Sequence, residues 1–376
     1  MRRLVKWAGG IVALVAIFVV GGSILFISSC SGSMQACYAS WRGFWGGETP
    51  EDRARWQSSS EFAVSESMLA FTVILSDGET GLLVVDRESG KQRLIYERGF
   101  GFWAPHLTVD GERLMMIKRE RETARRQILS CQVDFWRCDV YLRTENNLRS
   151  PVEIEKDTIL YSSTPLRIGE DGRHWYADYD IHLLQKGGVP KRLSDFGLYE
   201  LGSISVANGK IYFAGEGPKR ENPVIPRPSA KRVTDERSKV FAVNFDIEKQ
   251  QISKPDAMLK PLFVLDGFTI GARISQDGRK AAVHNAQYGR GRGRYIYENV
   301  VVDLVSGTQR RLKTEAIIAS RGVFVGNALV YSELFPDHYK IQEYDLNSGA
   351  LREILEINHS QERLRTLERI ELTLQN

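Results

Sequence analysis

The sequence predicts an all-β fold, a six-bladed β-propeller with seven blades as the alternative count, behind one N-terminal transmembrane helix. Three observations lead there. Residues 272–312, ARISQDGRKAAVHNAQYGRGRGRYIYENVVVDLVSGTQRRL, read as two hairpins in a row. Four short strands in about forty residues is the size of one propeller blade. Comparable units recur from Glu61 to Leu355, and helical periodicity is almost absent before the tail. The run Trp7–Ile27 carries no charge and follows Arg2, Arg3 and Lys6.

A helix over Trp7–Ile27 spans about 32 Å, enough to cross the hydrocarbon core of a bilayer. The basic residues precede the run, and the next charge is Arg42. The positive-inside rule then puts the N-terminus in the cytoplasm and the body in the periplasm or cell exterior, as a single-pass protein of the cytoplasmic membrane. The run is longer than the apolar core of a cleaved signal peptide and lacks a small-residue ending. Ile27-Ser28-Ser29-Cys30 offers another route, lipidation at Cys30, with the same outcome for the body. Residues 1–28 are therefore expected to be a stub and anchor, and 29–60 a linker rich in Ser, Gly and charge.

The chain has 376 residues, 42% of them hydrophobic, and a net charge of +4, which is ample for a sizeable core. Cys30 and Cys37 form one local pair, Cys131 and Cys138 another. Beyond the cytoplasm these read as two short-loop disulfides, with four separate thiols as the alternative. No C-x-x-C and no Cys/His zinc spacing occurs, so no metal and no cofactor is expected.

The body, 61–356, divides into repeats punctuated by turn residues. The first holds Met68–Leu75, Leu82–Asp86 and Arg93–Tyr96. The second runs from Trp103–Val109 through Asp110-Gly111 to Arg113–Lys118, resumes at Asp139–Arg143 and ends near Val152–Ile154. The third has Ile159–Ile168, Asp171-Gly172, His174–Tyr179 and Ile181–Gln185. The fourth turns at Asn208-Gly209, the fifth at Asp277-Gly278 and the sixth at Gly326-Asn327. Asp-Gly and Asn-Gly read as tight two-residue turns that need positive φ. Glu61–Val64 is expected to pair with the last blade and close the ring, because an open sheet edge is a liability. The tail, 357–376, is expected to hold a helix over His359–Leu372, with a strand as the alternative for its last residues.

Four segments carry a resemblance. WAPHLTVDGERL begins at Trp103 and ARISQDGRKAAV at Ala272, while VVDLVSGTQRRL and EYDLNSGALREI share an Asp-Leu-x-Ser-Gly element. Together these are similar to the WD40-like repeats of the TolB-type propeller family. The resemblance implies six blades and carries no chemistry of its own. Lys186-Gly187-Gly188 and Asp246–Gln250 depart from it.

In a propeller the connections between second and third strands share one face. Here they are long and basic. Lys118–Arg137 has six basic residues against three acidic, Glu216–Lys239 seven against four, and Gln287–Arg294 three against none. Arg125, Arg126, Lys219, Arg220, Lys231, Arg232, Arg290, Arg292 and Arg294 are the candidate binding residues, because the Arg fork suits carboxylate and phosphate. The expected partner is a protein or an anionic envelope polymer, with the membrane engaged through Trp7–Ile27 and no nucleic acid. A Cys131–Cys138 disulfide is expected to stiffen the first basic loop. No G-x-S-x-G, H-E-x-x-H or P-loop occurs, so no catalytic residue is assigned. The alternative is an envelope lyase or hydrolase acting on an acidic polysaccharide, with His106 or His284 at the propeller axis.

Overall fold

The computed structural model describes residues 62–75, 80–123, 125–168, 174–175, 178–196, 198, 200–216, 239–253, 259–288, 295–312, 314, 318–319, 321–335, 338–358, 364 and 366–375. The expected anchor Trp7–Ile27, the linker and the Cys30/Cys37 pair lie outside them. Among the described residues no helix is long and apolar enough to cross a membrane.

Six antiparallel sheets form the blades of a β-propeller. Blade 1 is β1 (Phe62–Val64), β2 (Met68–Ile74), β3 (Thr80–Asp86) and β4 (Gln92–Ile95). Blade 2 is β5 (Phe100–Leu107), β6 (Arg113–Glu120), β7 (Arg126–Gln132) and β8 (Arg137–Thr144). In blade 3, β9 (Asn147–Glu155) and β10 (Thr158–Thr164) are followed by a side hairpin of β11 (Arg167–Ile168) and β12 (His174–Trp175). Then come β13 (Asp180–Gln185) and β14 (Lys191–Arg192). Blade 4 is β15 (Glu200–Ala207), β16 (Lys210–Glu216), β17 (Lys239–Asp246) and β18 (Gln251–Ile252). Blade 5 is β19 (Phe268–Ile274), β20 (Lys280–Tyr288), β21 (Tyr295–Asp303) and β22 (Gln309–Leu312). In blade 6, β23 (Ile318–Ala319) and β24 (Val323–Val325) both pair with β25 (Ala328–Leu334), followed by β26 (His338–Asp345) and β27 (Leu351–Asn358). First strands neighbour one another around the ring, β1 to β5, β9, β15, β19, β24 and back to β1.

Both faces of a blade are covered, so its middle strands are apolar runs rather than half-polar alternations. The period of two still governs, because alternate residues face different neighbours. On β6, Leu114 and Met116 pack against blade 1, and Met115 and Ile117 pack against blade 3. Residues of blade 3 and blade 4 share a further core around Phe196, Phe213 and Phe241.

Repeated turns are fixed by carboxylates. Between third and fourth strands, the main-chain N–H and hydroxyl of Ser89 both donate to Asp86 Oδ1 at 2.7 Å. Ser306 does the same to Asp303, and Ser348 to Asp345. Gly90, Gly307 and Gly349 follow at φ 68°, 74° and 73°, where the left-handed conformation favours glycine. The divergent Asp246–Gln250 turn keeps the geometry, with Gln250 at φ 50° and Lys249 bonded to Asp246 through both N–H and Nζ.

The Asp-Gly turns are longer than the two residues expected. Thr108 N–H bonds Arg113 O at 3.0 Å and Gly111 N–H bonds Thr108 O at 2.9 Å, a four-residue loop with a left-handed glycine at its third position. Ser275, Asp277 and Lys280 reproduce it, because Ser or Thr two residues before Asp supplies the hydroxyl that bridges the loop.

Four further expectations are corrected. Lys118–Arg137 is not a loop, since β7 occupies Arg126–Gln132; Asp139–Arg143 is the fourth strand of blade 2, and Val152–Ile154 belongs to the first strand of blade 3. Blade 3 turns at Lys156-Asp157, with Asp157 at φ 61°, not at Asp171-Gly172, which lies outside the described residues. Phe62–Val64 pairs with β2 of its own blade rather than with the last blade. In the tail the helix is confined to Leu364 and Thr366 among the described residues and the strand alternative holds beyond it: β28 (Glu368–Ile370) runs parallel to β4, and β29 (Thr373–Gln375) parallel to β8. Both tail strands cover an outer blade edge that would otherwise be open. Leu364, Leu367 and Ile370 are all buried.

The turn carboxylates make a prediction about acid. Main-chain N–H and then hydroxyl bonds hold Asp86, Asp303 and Asp345 below the ordinary carboxylate range; hydroxyl bonds lead at Asp110 and Asp277. Groups with lowered folded values stabilise fully above the unfolded value of about 3.9, and the contribution is lost as pH falls through the folded values. Urea midpoints of the full chain are expected to fall below about pH 4. The double variant Asp303→Asn, Asp345→Asn is expected to show lower stability at pH 7 and a flatter acid limb. An unchanged acid limb would show that these bonds do not couple to folding.

Candidate binding site

Each first strand starts at one end of the ring, and second strands return to that same end. Glu120 and Arg126, Glu216 and Lys239, and Tyr288 and Tyr295 are strand ends lying there. They flank the basic segments. Of the candidate binding residues, Lys219, Arg220, Lys231, Arg232, Arg290, Arg292 and Arg294 lie outside the described residues. Arg125 is exposed in the loop before β7. Arg126 is buried at the start of β7, where its Nη1 donates to Glu145 O at 3.3 Å and Asn146 O at 3.4 Å. Around these two, blade 2 forms a concavity of about 490 Å³ that buried Lys118 and exposed Arg143 also line.

Cys131 and Cys138 form a disulfide, with Cα atoms 3.9 Å apart in directly paired positions of β7 and β8. Both are buried beside Trp136 and Ile370. The bond closes the hairpin at the end of the blade away from Arg125, so it does not stiffen the basic loop. It secures the edge onto which β29 pairs.

Nearer the axis, Arg149 of β9 meets Glu200 of β15 at 3.4 Å, and its guanidinium lies 4.8 Å from the ring centre of Tyr179. This pair marks the same end of the ring. Deeper in, first strands carry bulges. Ala104, Ser150 and Ser203 take φ of 54°, 47° and 54° where the register shifts in blades 2 and 4 and at the equivalent place in blade 3. Bulges free main-chain groups that ladders would otherwise satisfy. Side chains from neighbouring blades serve them: Ser150 Oγ accepts from Ser203 N–H at 2.7 Å, and Arg273 donates to Ile204 O at 3.0 Å. Arg321 reaches Ser203 Oγ at 3.0 Å and Ile270 O at 3.1 Å. The arginines at the axis were missed by sequence reading. Ala104-Pro105 and Ser150-Pro151 were the available signal, since proline removes a ladder donor.

His106 lies on β5, partly exposed, and burial followed by the charge of Arg273 lowers its pKa to about 3. His284 is buried on β20 beside Tyr297, with ring centres 5.8 Å apart, and burial followed by the charge of Arg321 lowers its pKa to about 3. Both are neutral at physiological pH, and a base of that strength is poorly matched to general acid–base catalysis near neutrality. Among the described residues no group of three His, Cys, Asp or Glu side chains is placed to hold a metal.

No family model matches the chain, and no curated protein matches it. Its structure is similar to the crystal structure of TolB from Acinetobacter baumannii, at 12% identity over 88% of this chain and 71% of that one, with a TM-score of 0.54. It is also similar to a chain of the nidogen/laminin complex, at 12% identity over 78% of this chain and 95% of that one, with a TM-score of 0.50. At such identity the likeness defines the fold class, a TolB-like six-bladed propeller.

The disulfide's place gives a prediction. Replacing both Cys131 and Cys138 by Ser is expected to lower unfolding stability by about 2–3 kcal/mol, the chain-entropy value for so short a loop. Partner binding by the variant is expected to be unchanged at a temperature where it remains folded. Weakened binding with unchanged stability would return the bond to the loop-stiffening role.

Proposed function

We propose that this chain is a binding module held at the cytoplasmic membrane through Trp7–Ile27, its propeller in the periplasm or cell exterior, where it engages a protein partner. The observation that carries the reading is the gathering of basic segments at one end of a closed ring. Strand ends flanking Gly217–Ser238 and Gly289–Arg294 lie at the same end as Arg125 and Arg126. Charge collected on one face steers an oppositely charged partner and raises its encounter rate. A propeller of this class sits in the nidogen/laminin complex, which supports a protein as the partner. A disulfide at Cys131–Cys138 suits an oxidising compartment.

Affinity capture from cross-linked membranes tests it, with the full chain compared with the triple variant Arg290→Ala, Arg292→Ala, Arg294→Ala. Recovery of the wild-type partner is expected to fall at least tenfold in the variant, since loss of three charge-assisted contacts exceeds about 1.4 kcal/mol. Identical partners in identical yield would contradict the basic-face reading. Recovery of a polysaccharide in place of a protein would replace the protein reading with the anionic-polymer one.

A further inference from the structure

The concavity in blade 2 has a composition of its own. Lys118, Arg125, Arg126 and Arg143 line it, from three adjacent strands and one loop. Its volume of about 490 Å³ lies within the ordinary range for ligand pockets. Arg126 is only 2% exposed, and its two bonds to main-chain carbonyl oxygens fix the guanidinium in one orientation. Lys118 Nζ lies 4.0 Å from the ring centre of Phe100 and 2.5 Å from Glu97 Oε2, which holds the ammonium over an apolar surface.

Two acids share the lining, Glu120 and Glu145. Glu120 accepts a hydrogen bond from the hydroxyl of Thr123. Carboxylates at the site repel a densely charged polyanion but accept hydrogen bonds from N–H donors. The ligand this mixture suits has one carboxylate, nearby N–H donors and an apolar group. We propose that the blade 2 concavity binds a peptide segment of a protein partner in which Asp or Glu stands next to an aromatic or aliphatic residue. The carboxylate meets exposed Arg125 and Arg143 beside the fixed, buried charge of Arg126, the apolar side chain meets Phe100, and peptide N–H groups meet Glu120 and Glu145. This site rests on the reading that a protein docks at this end of the ring, and it names the part of the partner that is recognised.

The test is selection of random heptapeptides displayed on phage against the full chain in detergent. Enriched peptides are expected to carry Asp or Glu beside Phe, Tyr, Leu or Ile. Their synthetic forms are expected to bind at least tenfold more weakly to the double variant Arg125→Gln, Arg143→Gln. Both substituted residues are exposed, and a thermal melt checks that the variant folds. Carboxylate-to-amide replacement in the peptide is expected to have the same effect. Three results would overturn the site: no enrichment of acidic peptides, equal affinity for the double variant, or equally tight binding of inorganic phosphate at the same residues. A variant that loses peptide but keeps its membrane partner would separate the two readings, leaving the protein partner and removing this concavity as its docking point. The triple variant at Arg290, Arg292 and Arg294 is expected to bind the peptides normally.

Discussion

A propeller depends on its seam, because the last blade must be held against the first by something other than the chain's own continuity. Among the described residues no strand of blade 1 pairs with a strand of blade 6. β1 stays in blade 1 and lies alongside β24. The seam is packed by Phe71 against Tyr339, with ring centres 5.0 Å apart, and by Arg87 near Glu343 at 3.9 Å. The tail then acts as an outer strap. After β27 of blade 6, β28 joins the edge of blade 1 and β29 the edge of blade 2. Lys91 and Glu368 pair at 2.8 Å, Arg369 stacks 4.5 Å over Tyr96, and Thr373 N–H bonds Trp136 O at 3.0 Å. Ile370 completes the core shared by blades 1 and 2.

The strap also explains how each sheet edge is managed. Unpaired edges invite aggregation, and a chain can cover, shorten or charge them. Blades 1 and 2 are covered by the tail. In blades 3 and 4 the outer strands are two residues long, and in blade 5 four. β27 has eight residues, and Arg352, Glu353 and Glu356 stand on it as exposed charges. Blade 2 is the most tied of the six, with a disulfide, the strap and two shared cores. A rigid blade is a good place for a recognition pocket, since little freedom is left to lose when a ligand binds.

What was legible in the sequence was local. Asp277-Gly278 and Asp303–Gly307 announce their turns because the bonds that fix them lie within a few residues. The six-blade count followed from those turns. β7 was hidden because Arg126 and Gln132 bracket it with polarity, and its apolar centre needs two neighbouring blades to be recognised as core. Lys156-Asp157 turns without a glycine, since Asp tolerates the left-handed region, so no Asp-Gly or Asn-Gly pair announced it. The strap was invisible for a different reason. Ile370 pairs with Ile95 and Leu374 with Cys138, and parallel pairing across such distance leaves no local pattern. Lys118, Arg125 and Arg126 were found by charge, but Arg143 joined them only when β6, β7 and β8 were laid side by side.

The central structural claim is that the tail closes the ring, and urea unfolding of the Ile370→Ala variant tests it most directly. Removing a buried side chain at the strap's core contact is expected to cost about 2–4 kcal/mol, with the loss seen in both blade 1 and blade 2 probes. A loss below about 0.5 kcal/mol, the range of an ordinary surface substitution, would contradict the account and show that the ring closes through the seam alone.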